Sequence, residues 1–212
     1  MALDRRRIVT EAVALLDADG LDGVTLRRLA QRLGVQAPTL YWHISSKAAL
    51  VTAIAEEILD RQFPELAPPG PGERWQDWLI GLAEGLRRAL LAHPDGARVV
   101  SASQLSQKMA AISELAMSTL VARGVRLHQA RLMVLTVEHF TVGYALEEQS
   151  PRPGQDELTG FDLAAFTQRY PTVVAAVTEY FEPGRTVDDL FRECLQLIVE
   201  PPEGTPTEGR DP

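Results

Sequence analysis

Apolar side chains recur along most of the chain every three or four residues, which is the spacing of one face of an α-helix. The first such segment runs from Asp4 to about Asp17, with Asp4 as its N-terminal cap and Gly20 as its end. No segment of useful length alternates strictly between apolar and polar residues, as a half-buried strand would. The pattern therefore predicts an all-α fold.

The same periodicity, together with cap and stop residues, predicts the later helices. Thr25, Ser45 or Ser46, and Thr186 are the expected caps, and Gly34 is an expected stop. The predicted bounds after the first helix are 26–33, 38–43, 47–61, 73–92, 106–122, 127–148, 162–181 with an interruption at Pro171, and 186–199. The middle of 127–148 is apolar nearly all round, which predicts a helix surrounded by others.

Breaks in the pattern divide the chain. A proline and glycine cluster at 64–72 is a linker, 150–160 is a loop, and 201–212, with no apolar periodicity, is a disordered tail. We expect one domain over 1–47 and a second over 48–200, with the helix 47–61 connecting them.

Composition narrows the class of protein. The 212 residues are 45% hydrophobic and 24% charged, so the chain can bury a core. One cysteine, Cys194, cannot close an intrachain disulfide, and the four histidines show no metal-ligand spacing. There is no apolar run of membrane-spanning length and no secretory signal at the start, so we expect a cytoplasmic protein without a membrane partner, metal or cofactor.

Charge is unevenly distributed. The net charge of the chain is −8, yet residues 1–47 carry seven basic and five acidic groups, so that segment is positive and the remainder strongly negative. A basic N-terminal face on an acidic body favours a polyanionic partner at one end only. Chance clustering of ordinary solvated charge is an equally simple interpretation of these numbers.

The segment 25–43 has the parts of a helix-turn-helix. Two short helices are joined by a turn at Gly34, and Pro38 fixes the start of the second, which must project into a major groove roughly 12 Å wide. Thr39, Tyr41, Trp42 and His43 form the candidate contact surface. The alternative is that Tyr41 and Trp42 are core aromatics, but adjacent helical positions point about 100° apart and cannot both face inward with Leu40.

A lysine follows this motif at the start of the next helix. Lys47 lies in the first turn after the Ser45-Ser46 cap, where its ammonium and the nearby backbone N–H groups can meet one phosphate. A lysine that is only solvated is the alternative, and the neighbouring helix-turn-helix favours the phosphate contact.

Residues 4–63 resemble the DNA-binding domain of the TetR family of bacterial repressors. The runs Leu29–Val35, Pro38–His43 and Lys47–Leu50 are similar to those of the tetracycline repressors, and weaker likeness extends through 95–99 and 138–143. The resemblance implies a homodimer that binds double-stranded operator DNA, and a C-terminal helical domain with a small-molecule pocket.

The resemblance also assigns DNA contacts. Arg27 matches a family position that reaches a base or phosphate, and Lys47 matches a phosphate contact. The recognition-helix contacts fall on Pro38, Thr39, Tyr41, Trp42 and His43. Ala37 stands where tetracycline repressors carry a base-reading glutamine, and it can offer only a methyl contact, so the operator should differ there.

In the effector region the sequence departs from the tetracycline repressors at more positions than in the DNA-binding segment. Val100 replaces the histidine that holds drug-bound magnesium in tetracycline repressors, and Leu82 and Leu86 replace drug-contacting residues. Glu147 matches an acidic residue near that metal, but one carboxylate alone is a weak magnesium site. We therefore expect an effector that is hydrophobic or aromatic and is not magnesium-tetracycline. The expected pocket residues are Leu82, Leu86, Val100, Ser103, Gln104, Leu135, Glu138 and Glu147. The polar ones among them could equally be a solvated helix face.

Assembly and induction follow from the same hypothesis. The helices 127–148 and 186–199 are candidates for a two-fold four-helix interface, and the helix 47–61, pressed by the turn at 95–100, is the candidate lever between effector and DNA. An enzyme using His93 and Asp95, or Glu138, His139 and Glu147, is the alternative, although no catalytic motif supports it and His139 is expected to be buried and hydrogen-bonded. A third alternative, an architectural protein that binds DNA constitutively and has no effector, would need more basic charge than this acidic chain carries.

Overall fold

The computed structural model describes residues 3–103, 105–151, 154, 159–182 and 184–200. Within these ranges every regular element is an α-helix, which confirms the predicted fold class. In chain order the helices are α1 (Arg5–Gly23), α2 (Leu26–Leu33), α3 (Ala37–Tyr41), α4 (Lys47–Gln62), α5 (Trp75–Leu91), α6 (Gly96–Ala102), α7 (Gln107–Ala122), α8 (Leu127–Glu148), α9 (Leu163–Arg169), α10 (Pro171–Phe181) and α11 (Val187–Val199).

The chain forms two compact units, Met1–Gln149 and Ser150–Pro212. In the first unit α4 packs against α1, α5, α6 and α7, and α8 packs against α5, α6 and α7. Leu16, Leu29, Leu40, Ile54 and Leu90 belong to one buried cluster that runs from α1 to α5. The first three helices and the helices after them therefore share a core, and the predicted boundary between residues 47 and 48 stays a prediction.

The second unit contains α9, α10 and α11. The ring of Phe166 contacts those of Phe161 and Tyr170 in tilted arrangements, with ring centroids 5.2 and 4.9 Å away. Thr186 caps α11 as predicted, and its capping box is complete: Asp189 N–H donates to Thr186 Oγ1 over 3.2 Å, and Thr186 N–H donates to Asp189 Oδ2 over 2.8 Å. The interruption at Pro171 is confirmed, since α9 and α10 meet there.

Two predicted helix ends, those of the first and third helices, are wrong, and a long-range contact explains the first of them. α1 does not stop at Gly20 but kinks there and continues to Gly23. The kink leaves the N–H of Leu21 free to donate to Asp95 Oδ2 over 2.9 Å, a bond between residues far apart in sequence. The predicted helix 38–43 is also shifted: α3 ends at Tyr41, and His43 lies in the turn that follows, where its N–H donates to Leu40 O.

The helix α8 has the predicted bounds, but it is not surrounded in the single chain. Ala130, Val134, Val137 and Ala145 form its buried side. Leu132, on the opposite side, is 56% exposed. The predicted linker 64–72 is non-helical as expected. The predicted tail 201–212 and most of the predicted loop 150–160 lie outside the described residues.

Candidate DNA interface and effector cavity

The turn between α2 and α3 is built by its end residues. Thr25 caps α2, because its Oγ1 accepts the N–H of Arg28 over 3.2 Å. Gly34 ends α2 in the left-handed conformation with φ of 68°, which residues with a Cβ rarely adopt. The N–H of Val35 then donates to Ala30 O over 3.0 Å, so the chain reverses within a few residues. The tight turn predicted from the sequence is confirmed.

Two buried residues anchor α3 and leave the rest of it on the surface. Leu40 and Ile44 are fully buried in the core. Pro38 and Thr39 are exposed. Tyr41 is 55% and Trp42 89% exposed, so the alternative in which both are core aromatics is wrong.

The remaining residues of the candidate DNA interface lie at its edges. Arg27 and Lys47 are exposed, whereas His43 and Ala37 are half-buried. Ser46, not Ser45, caps α4, because its Oγ accepts the N–H of Ala49 over 3.1 Å. Lys47 is therefore the first residue of α4, as predicted, beside the N–H groups of its first turn.

Not all the basic charge of this segment is available to a partner. Arg28 pairs with Asp19 at 2.6 Å, and Arg32 pairs with Glu11 at 3.3 Å. Arg27 and Lys47 have no ion pair in the part of the chain that the structure describes. Arg27, before α3 in sequence, and Lys47, after it, are thus exposed cations without an ion pair among the described residues.

Polar contacts join α1 to the turn before α6. His93 Nδ1 lies 2.6 Å from Asp17 Oδ1. Asp95 accepts the N–H of Leu21 and pairs with Arg98 at 3.0 Å, and these contacts, the Leu21 N–H first, hold the pKa of Asp95 below its usual value. The residues that the enzyme alternative offered as acid and base, His93 and Asp95, are therefore engaged with α1 and α6.

A second set of contacts joins α4 to α7. Lys108 Nζ lies 2.9 Å from Asp60 Oδ1, and the N–H of Lys108 donates to Glu56 Oε2 over 3.1 Å. α7 is therefore tied to α4 by an ion pair and a hydrogen bond near its N-terminus.

Two cavities bring predicted effector residues together. The larger, of about 560 Å³, lies among α6, α7 and α8, and Val100, Ser103 and Glu138 line it. The smaller, of about 20 Å³, is apolar apart from Glu138 and contains Leu82 and Leu86. Glu138 therefore lies at both cavities. A third hollow of about 380 Å³, beside Pro68 and Arg123, contains no predicted residue.

The other predicted effector residues are not at these cavities. Leu135 is half-buried and Glu147 is exposed, and neither lines any of the three. Gln104 lies outside the described residues. His139 lines the larger cavity but is exposed, so the expectation of a buried histidine is wrong. It lies one residue after half-buried Glu138, which turns it toward the exposed side of α8.

One face of α7 was missed from the sequence. Ser106, Met109, Ala110 and Ser113 line the larger cavity. Their spacing of three, four and seven residues is one helical stripe, and its two serines set it apart from a core stripe. Ser113 donates a short hydrogen bond to Glu138 Oε1. Burial raises the pKa of Glu138, and the Ser113 hydroxyl and the nearby His139 oppose that rise.

A helix-turn-helix with an exposed recognition helix, joined through one core to helices that enclose a cavity, defines a ligand-binding transcriptional regulator. The family model for the bacterial regulatory proteins of the tetR family matches residues 8–54, and that for the tetracyclin repressor-like C-terminal domain matches residues 68–201. The chain belongs to the TetR family of transcriptional regulators.

Relatives of known name agree with this assignment. The chain is 40% identical over 196 residues to the class D tetracycline repressor protein of Escherichia coli, covering 92% of this chain and 80% of that protein. The TetR family protein ActR of Streptomyces coelicolor, solved with (S)-DNPA, has a TM-score of 0.77 at 28% identity, over 94% of this chain and 96% of that one. BioQ, solved with its double-stranded DNA operator, has a TM-score of 0.63 at 34% identity, over 71% of this chain and 90% of that one.

The family is one of DNA-binding regulators and not of enzymes, and homodimers are typical of it. Among the described residues no helix is both long and apolar enough to cross a bilayer. No group of three or more His, Cys, Asp or Glu side chains that could hold a metal lies together in that part of the chain.

Proposed function

We propose that the chain is a ligand-responsive repressor whose dimer binds a two-fold symmetric operator and leaves it when a small, largely apolar or aromatic effector binds. The observation that carries this proposal is the exposure of Tyr41 and Trp42 at the C-terminal end of a short helix anchored by Leu40. Large exposed aromatic side chains without an internal packing role are typical of a contact surface. BioQ, solved on its operator, is a family member of similar fold.

The DNA contacts divide into two kinds. Tyr41, Trp42 and His43 reach base edges with Pro38 and Thr39, and Ala37 contributes a methyl contact. Arg27 and Lys47 hold the phosphates and fix the register of α3. Two copies are needed, because one short helix makes too few contacts for operator affinity. Their DNA-binding heads, that is, the helix-turn-helix segment of each copy, must lie about 34–36 Å apart or a multiple of that.

Release of the DNA is proposed to follow from the contacts around α4. An effector in the larger cavity touches α6 at Val100 and Ser103, and α6 in turn packs on α4. A ligand that favours a different head spacing by about 5.5 kcal/mol takes the population from 1:99 to 99:1. It does not need to touch DNA.

The effector is proposed not to be magnesium-tetracycline. Val100 has no lone pair for a metal, and Glu147 lies away from the cavity that Val100 lines. ActR, solved with (S)-DNPA, shows that a family member of similar fold binds another kind of small molecule. The pocket of this chain is therefore proposed to be used without a metal.

The test of DNA binding uses a labelled duplex from the region upstream of the protein's own gene. We expect salt-dependent binding by fluorescence anisotropy, and a loss of about 1–3 kcal/mol or more in Tyr41→Ala and in His43→Ala. Tyr170→Ala, which removes another exposed tyrosine, is the matched control and should bind normally. Unchanged binding by both variants, at unchanged melting temperature, would show that α3 and the turn after it do not read the DNA.

The same anisotropy assay tests whether magnesium-tetracycline is excluded as the effector. Tetracycline added with magnesium should leave the protein on the duplex. Release at micromolar drug would overturn the exclusion and leave the DNA-binding proposal intact.

A further inference from the structure

The feature that defines the chemistry of the larger cavity is one carboxylate in apolar surroundings. Glu138 lines both cavities, and Leu82, Leu86 and Ile112 line the smaller one with it. Its carboxylate contacts Ser113, which lines the larger cavity. Among the described residues lining the two cavities, His139 is the other titratable side chain, and none is a lysine or arginine.

The hydrogen bonding of this carboxylate is incomplete. Its hydrogen-bond donor among the described residues is the hydroxyl of Ser113. The same hydroxyl lies 3.0 Å from Met109 O, and a hydroxyl has one proton to give. Ser113 therefore cannot satisfy the carbonyl and the carboxylate together, and Glu138 retains the capacity to accept from a ligand.

The negative charge of Glu138 favours a ligand whose hydrogen-bond donor is itself positively charged. Glu138 is half-buried with no lysine or arginine among the described residues that line its cavities, and the loss of solvation on burial raises its pKa more than Ser113 and His139 lower it. A neutral ligand can donate hydrogen bonds but brings no opposite charge, so part of the solvation that the carboxylate loses stays uncompensated. A bound cation with N–H groups would replace both the lost solvation and the missing hydrogen bonds.

We propose that the effector is an amphipathic cation, with an ammonium or amidinium group paired to Glu138 and an apolar or aromatic body against Val100, Met109 and Val142. The cavity of about 560 Å³ has room for a ligand of this kind. Ser103 and Ser106 supply hydroxyls to any further polar group. The inference rests on the proposed function in one respect, that this cavity is the effector site.

The test compares two probes that differ in charge. They are 2-(2-naphthyl)ethylamine and 2-(2-naphthyl)ethanol, titrated calorimetrically into the full-length protein at neutral pH. The amine is expected to bind at least about tenfold more tightly than the alcohol. Glu138→Gln should abolish that preference, because it weakens binding of the amine and leaves the affinity for the alcohol unchanged or higher.

Two further variants make the result specific. Glu114→Gln removes an exposed carboxylate from α7 and should leave the preference unchanged. Ser113→Ala keeps the Glu138 carboxylate and removes its donor, so the preference for the amine should persist or grow. If Glu138→Gln fails to fold, the Ser113→Ala result decides, because loss of the preference there contradicts a direct pairing with Glu138.

Equal binding of the two probes, absence of amine binding at millimolar concentration, or a preference that survives Glu138→Gln would each overturn the inference. Binding to the promoter duplex is measured separately. A protein that binds this DNA and does not prefer the amine refutes the charged effector alone. A protein that prefers the amine and ignores the DNA refutes the proposed repressor alone.

Discussion

The residue with the most unusual backbone among those described is Asp95. It is the non-glycine residue there with a positive φ, of 58°, and it directly precedes α6. Its carboxylate accepts the N–H of Leu21 over 2.9 Å and pairs with Arg98. Aspartate tolerates the left-handed conformation better than most residues do. One side chain thus stabilises both an unfavourable backbone and the contact between α1 and α6.

Asp95→Ala should lower the free energy of unfolding by about 1–3 kcal/mol, because it removes a hydrogen bond and leaves a Cβ-bearing residue in a strained conformation. The measurement is urea unfolding at fixed protein concentration. Since the pKa of Asp95 is lowered by folding, its contribution is present above the pKa of the unfolded state and is lost as the pH falls through the folded pKa. The difference between variant and wild type should therefore shrink in acid.

Asp22→Ala is the control for this prediction. Asp22 also pairs with Arg98, at 3.2 Å, but its side chain is 86% exposed, so its removal should cost less than about 0.5 kcal/mol. Equal losses in the two variants would mean that Arg98, and not the Leu21 N–H, accounts for the effect.

Gly96 is required for a close approach of two backbones. A Cβ at Gly96 would lie 2.1 Å from Leu90 O, a distance that demands backbone movement. Gly96→Ala should cost at least about 3 kcal/mol in the same unfolding assay. Gly81→Ala, in α5 with open space around its Cβ, should instead be stabilising by about 0.5–1 kcal/mol. A mild Gly96→Ala phenotype would show that α6 can move away from α5 at low cost.

At the scale of the element, helix caps decide where most helices begin. The capping box of α11 predicts that Thr186→Ala lowers local stability by about 0.5–2 kcal/mol. Hydrogen exchange of the first-turn amides of α11 is the measurement. Thr186 holds the pKa of Asp189 below its usual value, so the protection should also fall as the pH drops through that pKa.

Thr167→Ala provides the comparison within the same unit. Thr167 lies inside α9 and its hydroxyl donates to Leu163 O, so alanine there should be neutral or slightly favourable. Equal loss of α11 protection in both variants would argue against a local cap.

The elements that the sequence predicted well are those whose signals are local. Asp4, Thr25 and Thr186 cap α1, α2 and α11 as expected, because a cap depends on a residue three positions away. The end of α1 was missed because the residue after the kink, Leu21, bonds to Asp95, 74 positions along the chain. Such a contact leaves no mark on the neighbouring sequence.

The candidate site divides in the same way. The exposed side of α3 could be predicted, since Tyr41 and Trp42 adjoin a residue that must face the core. The Ser113 contact to Glu138 could not, because it depends on how α7 and α8 are aligned. Periodicity places a residue on a face but does not say which face of another helix it meets.

At the scale of the whole molecule, exposed apolar side chains indicate where a second copy would bind. Leu132 in α8 is 56% exposed and Leu197 in α11 is 61% exposed, on the two helices predicted to form the two-fold interface. Each apolar side chain at such an interface is buried twice by symmetry. Full burial of a leucine side chain is worth about 1.5–3 kcal/mol, which is the upper bound for each of these partly exposed leucines in each copy.

Leu132→Asp should therefore yield a monomer at micromolar concentration, measured by sedimentation, because it places two carboxylates in an apolar contact. Leu105→Asp, at an 86% exposed residue outside the helices, should stay dimeric. The promoter duplex should then bind Leu132→Asp at least about tenfold more weakly than wild type, since one head cannot contact both half-sites. A monomer that binds the duplex as tightly as wild type would mean that a single copy of α3 suffices, and head spacing could then not control release.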